Sequence, residues 1–338
     1  MKACKLIYHK RHCLNLCLIK LFSQALLVML FLSGCGASKS HIAANPASQR
    51  FLDVTEKRFP KQSASPKQAL FFRADQNVLP DLVILNKIGS GKPQLQIFIN
   101  RGEKGFKLKD SSRWIKENKA RILSIAAADL NRDGWMDIYV SNDFFERDYL
   151  YINMQDGTFS ELLDEQLSET SLGAMGADIA DINNDGWPDI FVTEMTAEGD
   201  RRLKTKVLFE TWESYRNKVD KGYHHQFARN VLQLNNRNGS FSEIGRYSGV
   251  DATDWSWGAL IMDLDNDGWR DLFVANGIYK DLLDRDYLDF YSNPALMRSM
   301  IQSEEQAILS IIDRIPSERV PNYAFHNNGD LSFSNQSE

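Results

Sequence analysis

The chain has four cysteines, and all of them lie within its first 35 residues. Cys4, Cys13 and Cys17 precede a short apolar run, and Cys35 follows it. Residues 36–338 therefore cannot form a disulfide, a thiolate metal site or a cysteine nucleophile. The stability of this part has to come from packing or from bound metal.

The start of the chain lacks an apolar run long enough to span a membrane. A basic opening leads into Ala25–Leu32, whose eight residues fall short of the roughly 20 that a bilayer requires. Residues 1–34 therefore predict a signal peptide. The LSGC motif that ends at Cys35 resembles the bacterial lipobox, which implies a lipid on that thiol and anchoring to the membrane of the bacterial cell envelope. A plain secretory signal with an incidental cysteine is the alternative.

A basic patch is also missing. The net charge is −5, and the first 34 residues hold five basic side chains and no acid, so the remainder is more acidic still. Such a surface repels phosphate backbones, and nucleic acid is not expected as a partner. Residues 35–50 are small and polar, as in a flexible tether, and the folded part is expected to span residues 51–338.

Familiar catalytic motifs are absent. His224 and His225 are adjacent, so no HExxH zinc motif exists, and no GxSxG elbow occurs. The GSGK stretch at residues 89–92 lacks the upstream glycine of a P-loop and continues with Pro93. A polysaccharide lyase or hydrolase remains an alternative, because paired carboxylates are plentiful.

What the chain does contain is an internal repeat. Three segments align without gaps: AAADLNRDGWMDIYVSND from Ala126, DIADINNDGWPDIFVTEM from Asp178 and LIMDLDNDGWRDLFVANG from Leu260. An eroded copy, RADQNVLPDLVILN, starts at Arg73. Self-similarity of this kind predicts a repeat architecture.

A second signature follows each copy and indicates a tight hairpin. It reads FINRGEKGFK from Phe98, YINMQDGTFS from Tyr151, LQLNNRNGSFS from Leu232 and FHNNGDLSFS from Phe325. Asn and Gly tolerate the positive φ of such turns. Four short antiparallel strands in ~50 residues are typical of one blade of a β-propeller. We therefore expect an all-β propeller of four-stranded blades with about four to five repeats, and a solenoid or sandwich is the alternative.

Each repeat carries an acidic loop with oxygen side chains at positions 1, 3, 5 and 9 and glycine at position 6. These loops predict about three Ca²⁺ sites, because Ca²⁺ takes six to eight oxygen ligands. The backbone carbonyl at position 7, a tryptophan, could complete each shell. Asx-type turns without metal are the alternative. The predicted ligands are Asp129, Asn131, Asp133, Trp135 and Asp137; Asp181, Asn183, Asp185, Trp187 and Asp189; and Asp263, Asp265, Asp267, Trp269 and Asp271.

An EF-hand does not fit these loops. It needs a bidentate glutamate at position 12, where this chain has Val140, Val192 and Val274 in strand-like runs. In the eroded copy Arg73 stands at position 1 and Val78 at the glycine position. We expect no ion there.

These loops, with Gly176 and Gly258 on the preceding strands, resemble the FG-GAP/VCBS repeats of integrin-α-type propellers. The stretch from Arg229 to Gly277 looks like bacterial members of the cartilage acidic protein (ASPIC/UnbV) group. The resemblance implies a calcium-stiffened, seven-bladed, extracytoplasmic propeller without established catalytic activity, and it makes the loop oxygens metal ligands. Four units are too few for seven blades. The chain is therefore expected to be a truncated product or, with the FLDVT strand near Phe51, a small closed ring.

Two insertions interrupt the repeats, at about residues 196–227 and 279–321. Leu203, Trp212 and Val219 recur at helical spacing in the first, and Gly222 ends that pattern; the second contains a helical run that begins at Pro294. Both are expected either to pack on one end of the propeller or to form the rim of a partner site.

Trp255 and Trp257 precede the third loop and fall on one side of a strand. They are expected either to pack between blades or to contact a ligand such as a sugar. The sequence thus predicts a lipid-anchored binding module for an unidentified protein or glycan. A component of an outer-membrane complex is a further hypothesis.

Overall fold

The computed structural model describes residues 66–86, 94–110, 115, 121–143, 146–206, 210–281, 284–291 and 313–337. The chain divides into two units, Met1–Lys61 and Gln62–Glu338, and every described residue lies in the second. The predicted signal peptide, the tether with Cys35, the strand near Phe51 and the helical run from Pro294 lie outside the described residues. Among the helices that are described, none is long and apolar enough to span a bilayer.

The chain folds into four antiparallel four-stranded sheets, each with its strands in sequence order. Blade 1 has β1 (Pro66–Phe72), β2 (Asp81–Asn86), β3 (Leu95–Asn100) and β4 (Phe106–Leu108). Blade 2 has β5 (Arg121–Ala128), β6 (Asp137–Asp143), β7 (Tyr149–Asn153) and β8 (Phe159–Glu161). The parallel pair β9 (Thr170–Ser171) and β12 (Gln226–Phe227) joins no blade.

Blades 3 and 4 follow the same order. Blade 3 has β10 (Ala177–Ala180), β11 (Asp189–Val192), β13 (Val231–Asn235) and β14 (Phe241–Glu243). Blade 4 has β15 (Ser256–Met262), β16 (Asp271–Asn276), β17 (Tyr323–Asn327) and β18 (Phe333–Asn335). Four-stranded antiparallel units stacked in sequence order are the blades of a β-propeller, so the predicted all-β fold class is confirmed.

Neighbouring blades bury apolar side chains between them. Val83 and Ile97 of blade 1 share a core with Ile138 of blade 2. Tyr139, one residue further on, points to the opposite face and packs in the core shared with blade 3. Because successive residues of a strand face opposite sides, a blade covered on both faces needs an unbroken apolar run rather than alternation. Blades 3 and 4 share the third core, in which Phe191 is fully buried.

Five short α-helices and one 3₁₀ turn, Gly102–Lys104, are described outside the blades. The α-helices are α1 (Leu163–Gln166), α2 (Asp200–Lys206), α3 (Trp212–Asp220), α4 (Gly245–Ser248) and α5 (Arg285–Tyr291). The helical spacing of the first insertion is divided between α2 and α3. The hydroxyl of Thr211 caps α3 by accepting from the Ser214 amide at 3.2 Å. Gly222 follows at φ +84°, so the predicted end of the pattern agrees with the structure.

The strand order gives each blade two distinct ends. The loop between the first and second strands and the hairpin between the third and fourth lie at one end, which we call the loop end. The connection between the second and third strands lies at the opposite end, the insertion end. Both insertions are connections of this second kind, in blades 3 and 4.

One asparagine in each hairpin of blades 2, 3 and 4 connects neighbouring blades, and we call these three residues the hairpin asparagines. The Asn235 side chain of blade 3 donates to the carbonyl of Leu130 in blade 2 at 2.9 Å, besides Pro188 of its own blade at 3.1 Å. Asn153 donates in the same way to Ala74 of blade 1, and Asn327 donates to Ile182 of blade 3. The carbonyl that accepts is always at position 2 of the preceding acidic loop.

Gly176 allows the first strands of blades 3 and 4 to approach closely. A Cβ atom there would lie 2.8 Å from the Trp257 carbonyl oxygen and 2.9 Å from the Ala259 nitrogen. Both obstacles are backbone atoms, which cannot move aside as the end of a side chain can. The glycine that contributed to the family resemblance is thus required by packing between blades.

Candidate functional site

The three acidic loops connect the first and second strands of blades 2, 3 and 4, and we number them first (129–137), second (181–189) and third (263–271). Asp137 starts β6 and pairs across the ladder with Ala128, the last residue of β5. Asp189 and Asp271 start β11 and β16 in the same register. The prediction of a loop within a β-hairpin, with its position 9 carboxylate on the outgoing strand, is confirmed.

The carboxylate at position 1 closes each loop by accepting two backbone amides. In the first loop the two carboxylate oxygens of Asp129 accept from the amides of Asp133 at 3.0 Å and Gly134 at 2.8 Å. Asp133 in turn accepts from the amide of Trp135 at 2.8 Å. The same bonds recur at 2.7–3.2 Å in the second and third loops. The loops therefore curl around positions 1 and 5, as a cage of oxygen ligands requires.

Two positions of each loop have left-handed backbone. Gly134, Gly186 and Gly268 at position 6 have φ between +87° and +93°. Position 4 is also left-handed although it is not glycine, with Arg132 at +57°, Asn184 at +56° and Asn266 at +62°. Asparagine tolerates this region better than most residues. The sequence indicated the first of these turns and not the second.

Position 3 distinguishes the third loop. Asn131 and Asn183 donate their side-chain amides to the position 5 carboxylate, each at 3.0 Å. Asp265 replaces them in the third loop, where Asp263, Asp265 and Asp271 each offer an oxygen within 4.8 Å of the others. The third loop thus brings together more negative charge than the other two, and its oxygen donors fit a hard divalent cation.

Position 9 has a second role that sequence reasoning missed. Asp189 is fully buried, and its two oxygens accept from the amides of Ile182 at 3.0 Å and Asn235 at 2.8 Å. Asp137 and Asp271 bind the matching amides in their own blades. So does Asp81 in the eroded loop, which has no carboxylate at position 1. The carboxylate at position 9 therefore fixes the loop to its hairpin with or without an ion.

Burial also raises the pKa of these side chains. It raises the pKa of Asp137 and of Asp189 to about 7, against the hydrogen bonds from backbone amides, which lower it. Desolvation likewise raises the pKa of Asp81. A nearby cation would favour the ionised form of these carboxylates.

The position 7 tryptophans are half-buried, and two of them lie close to residues outside their own loops. The Arg132 guanidinium of the first loop lies 5.6 Å from the ring centre of Trp187 in the second. A Cβ atom on Gly329 would come within 3.1 Å of the Trp269 ring. That the Trp135, Trp187 and Trp269 carbonyls complete a cation shell stays a prediction.

Trp255 and Trp257 behave differently from each other at the insertion end. Trp255 is 8% exposed and packs inside, whereas Trp257 is 51% exposed. Their ring centres are 6.5 Å apart, and the Trp257 indole donates to the Gly277 carbonyl at 2.7 Å. Trp255 thus packs in the interior, and contact of the exposed Trp257 with a ligand stays a prediction.

An ionic cluster that the sequence did not reveal joins the two insertions. Arg202 on α2 bonds both oxygens of Asp254, at 2.6 and 2.8 Å, and reaches Asp281 at 3.3 Å. Lys206, also on α2, pairs with Asp281 and Asp284. Arg202 is 52 and 79 residues from its partners Asp254 and Asp281, so local charge patterning carries no signal for this cluster.

Two buried acids at the insertion end are bound within the protein. Burial raises the pKa of Asp148 to about 7, and this carboxylate accepts from the Tyr139 hydroxyl at 2.6 Å and the Asn142 amide at 2.8 Å. Burial raises the pKa of Glu194 to about 7 as well, and Glu194 accepts from Thr196 at 2.7 Å. Raised pKa values can mark catalytic acids, but these partners give both carboxylates a structural role.

Comparison with known proteins identifies the repeats. The model of the FG-GAP-like repeat matches residues 73–140, 129–192 and 223–274, which together cover just over half of the chain. Human integrin alpha-6 is 38% identical over 79 residues, which is 20% of this chain and 7% of the integrin.

A solved structure, a lectin of Agrocybe aegerita described with its specific recognition of non-reducing terminal N-acetylglucosamine, is 14% identical. The similarity covers 81% of this chain and 80% of the lectin chain, at a TM-score of 0.22. The repeat match and the four blades agree. This chain belongs to the FG-GAP-like repeat family.

Proposed function

We propose that the protein is a calcium-stabilised binding or adhesion module without catalytic activity. The observation that carries this proposal is that three loops place oxygen side chains at positions 1, 3, 5 and 9 at one end of the blades. Ca²⁺ prefers such ligands, and a bound ion would offset the repulsion between carboxylates. Asp129, Asp181 and Asp263 would hold the ions together with the other oxygens of their loops.

The insertion end supports a role in recognition. It exposes large aromatic side chains, among them Trp257 at 51%, Trp212 at 67% and Tyr279 at 75%. Aromatic residues contribute most of the binding energy at many protein interfaces, and their flat rings also suit sugars. We therefore place the partner, a protein or a glycan, at this end and the metal ions at the other.

The location belongs to the proposal as well. A lipid on Cys35 would anchor the chain to a membrane of the bacterial cell envelope, with residues 35–50 as the tether. The acidic composition makes nucleic acid an improbable partner. Partition of the full-length protein between detergent and aqueous phases, with a Cys35→Ala control, tests the anchor.

Calcium should raise thermal stability. For each independent site, a calcium concentration about 100 times the dissociation constant contributes about 2.7 kcal/mol to the free energy of unfolding. Melting curves recorded in millimolar Ca²⁺ and in EGTA measure this difference. Mg²⁺ at the same concentration is the control, because it requires shorter bonds in near-octahedral geometry and gives up its water ligands reluctantly. Identical curves in calcium and EGTA would contradict the calcium part of the proposal.

Removing the Trp257 ring should weaken binding of the partner. We expect Trp257→Ala to raise the dissociation constant of a ligand found on a glycan or protein array by about tenfold or more, since buried aromatic anchors are typically worth over 1 kcal/mol. Met154→Ala is the control, because Met154 is 49% exposed but lies at the loop end. Equal loss in both variants, or no loss in either, would argue against recognition at the insertion end.

A further inference from the structure

The third acidic loop has a histidine beside it that the other loops lack. His326 lies on β17, immediately before the hairpin asparagine Asn327. The corresponding residues of the first three blades are Ile99, Ile152 and Leu234. Ile99 and Ile152 are buried between blades, at 5% and 6% exposure. Packing against the next blade therefore favours an apolar residue at this place in blades 1 and 2, whereas on blade 4 the His326 side chain is 33% exposed and can bind other groups.

The imidazole lies against the loop carboxylates. The Nδ1 atom of His326 is 3.2 Å from an Asp265 oxygen and 3.6 Å from an Asp271 oxygen. Asp265, Asp267 and His326 each offer one ligand atom, and these atoms all lie within 4.8 Å of one another. Two ligands bound tetrahedrally to one zinc ion, at their usual bond lengths, are about 3.3 Å apart. The observed spacing is thus suitable for a single ion.

The donor set differs chemically from that of the other loops. Ca²⁺ and Mg²⁺ take oxygen ligands and gain little from imidazole. Zn²⁺ and its neighbours in the first transition row bind imidazole nitrogen together with carboxylate oxygen. Blade 4 differs from blades 2 and 3 at two positions near this loop. It has aspartate in place of asparagine at position 3, and histidine in place of an apolar residue on β17. Both changes supply ligand types that first-row transition metals bind.

The site is also open to solvent. The side chain of His326 is 33% exposed and that of Asp265 is 51% exposed. The same face of blade 4 exposes Leu264 at 44%, whereas its equivalents Leu130 and Ile182 are buried at 3% and 1%. An ion can therefore enter directly, and three protein ligands leave room for water in the remaining position.

We propose that Asp265, Asp267 and His326 form a site for a divalent transition metal such as Zn²⁺, and that the first and second loops have no such site. The site shares Asp265 and Asp267 with the proposed calcium site of the third loop. Zn²⁺ and Ca²⁺ therefore compete at the third loop and not at the other two.

The test is calorimetric titration of the full-length protein with Zn²⁺ in calcium-free buffer, repeated with Co²⁺ and read by its visible absorption. We expect one tight site, and His326→Leu, which installs the residue of blade 3, should weaken it by at least about tenfold. Its calcium affinity should change by less than about twofold. His225→Leu is the matched control, because it removes an exposed histidine whose Nδ1 bonds Tyr215, and it should leave zinc binding intact.

Two further variants separate this proposal from the proposed function. Asp133→Asn changes position 5 of the first loop and should leave zinc affinity unchanged, whereas Asp267→Asn at the equivalent position should reduce it. Equal zinc affinity in the wild type and His326→Leu would mean that His326 only hydrogen-bonds Asp265, and the site would be rejected. Absence of zinc binding in the wild type would reject it too. Neither result bears on the calcium melting experiment, which depends on all three loops.

Discussion

Asp189→Ala should lower the free energy of unfolding by about 2–6 kcal/mol even in EGTA, where no bound metal contributes. The variant leaves two buried amides, those of Ile182 and Asn235, without an acceptor, and each such orphan costs about 1–3 kcal/mol. A carboxylate that served only as a metal ligand would lose stability only when the metal is present. Chemical denaturation at both metal concentrations measures the difference.

Two control variants test the separation of roles. Asp181→Ala, at position 1 of the same loop, should lose mainly the calcium-dependent part of the stability, because one of the amides that it binds is exposed and the other is only part-buried, so water can replace the lost acceptor. Asp81→Ala in the eroded loop should lose about as much unfolding free energy as Asp189→Ala loses in EGTA. The loss in Asp81→Ala should be the same in calcium. If Asp189→Ala is neutral in EGTA, position 9 has no structural role of its own.

The second large effect is expected at the contact between blades. Asn235→Ala should cost about 2–4 kcal/mol of unfolding free energy, because it removes the donor for the buried carbonyl of Leu130 and for the part-buried carbonyl of Pro188. Urea denaturation of the purified variant measures the loss. A change in the midpoint at an unchanged slope would show that the folded state keeps its compactness.

Blade 1 supplies the matched control for that experiment. Asn100 occupies the same place, but among the described residues its side-chain amide donates only to the carbonyl of Pro80, at 2.9 Å near the surface. Asn100→Ala should therefore cost clearly less than Asn235→Ala. Equal losses would show that the bond to the preceding blade contributes nothing beyond the local turn.

The repeat itself could be read from the sequence, because strand and loop chemistry are local. Each DxNxDG or DxDxDG stretch sets its own turn, and the apolar runs that follow predict strands. The position 9 aspartates were identified correctly as the start of the outgoing strand. Their bonds to the hairpin amides were missed, since the partner of Asp189 is Asn235, 46 residues further along the chain.

The contacts of the hairpin asparagines with the neighbouring blade could not be predicted from the sequence either. Asparagine next to glycine was interpreted as a residue that tolerates positive φ, and glycine does so at Gly157 and Gly239. Asn153 instead accepts from the amide of Gln155 at 3.1 Å, and Gln155 has the left-handed backbone at φ +64°. An Asx-type turn leaves the amide group free to reach the neighbouring blade. The sequence of one repeat does not show which carbonyl of the neighbouring blade will accept this bond.

Two other features could not be predicted, because they depend on contacts between residues far apart in the sequence. The cluster around Arg202 joins two insertions, and the closeness of His326 to the third loop depends on the pairing of β16 with β17 across an insertion of more than forty residues. A histidine in a sequence does not by itself indicate a surface or a buried position, because histidine is intermediate in burial. Only the folded arrangement places its ring against Asp265.

The hairpin asparagines also give the stack of blades a direction. Each interior blade donates an amide to the blade before it and offers a carbonyl to the blade after it, so the two faces of a blade are not interchangeable. A duplicated blade inherits both halves of this contact and can be inserted between two others without any new interface having to evolve. A blade inserted in the reverse orientation would lack the matching donor and acceptor, and the polar groups of its neighbours would be left unpaired.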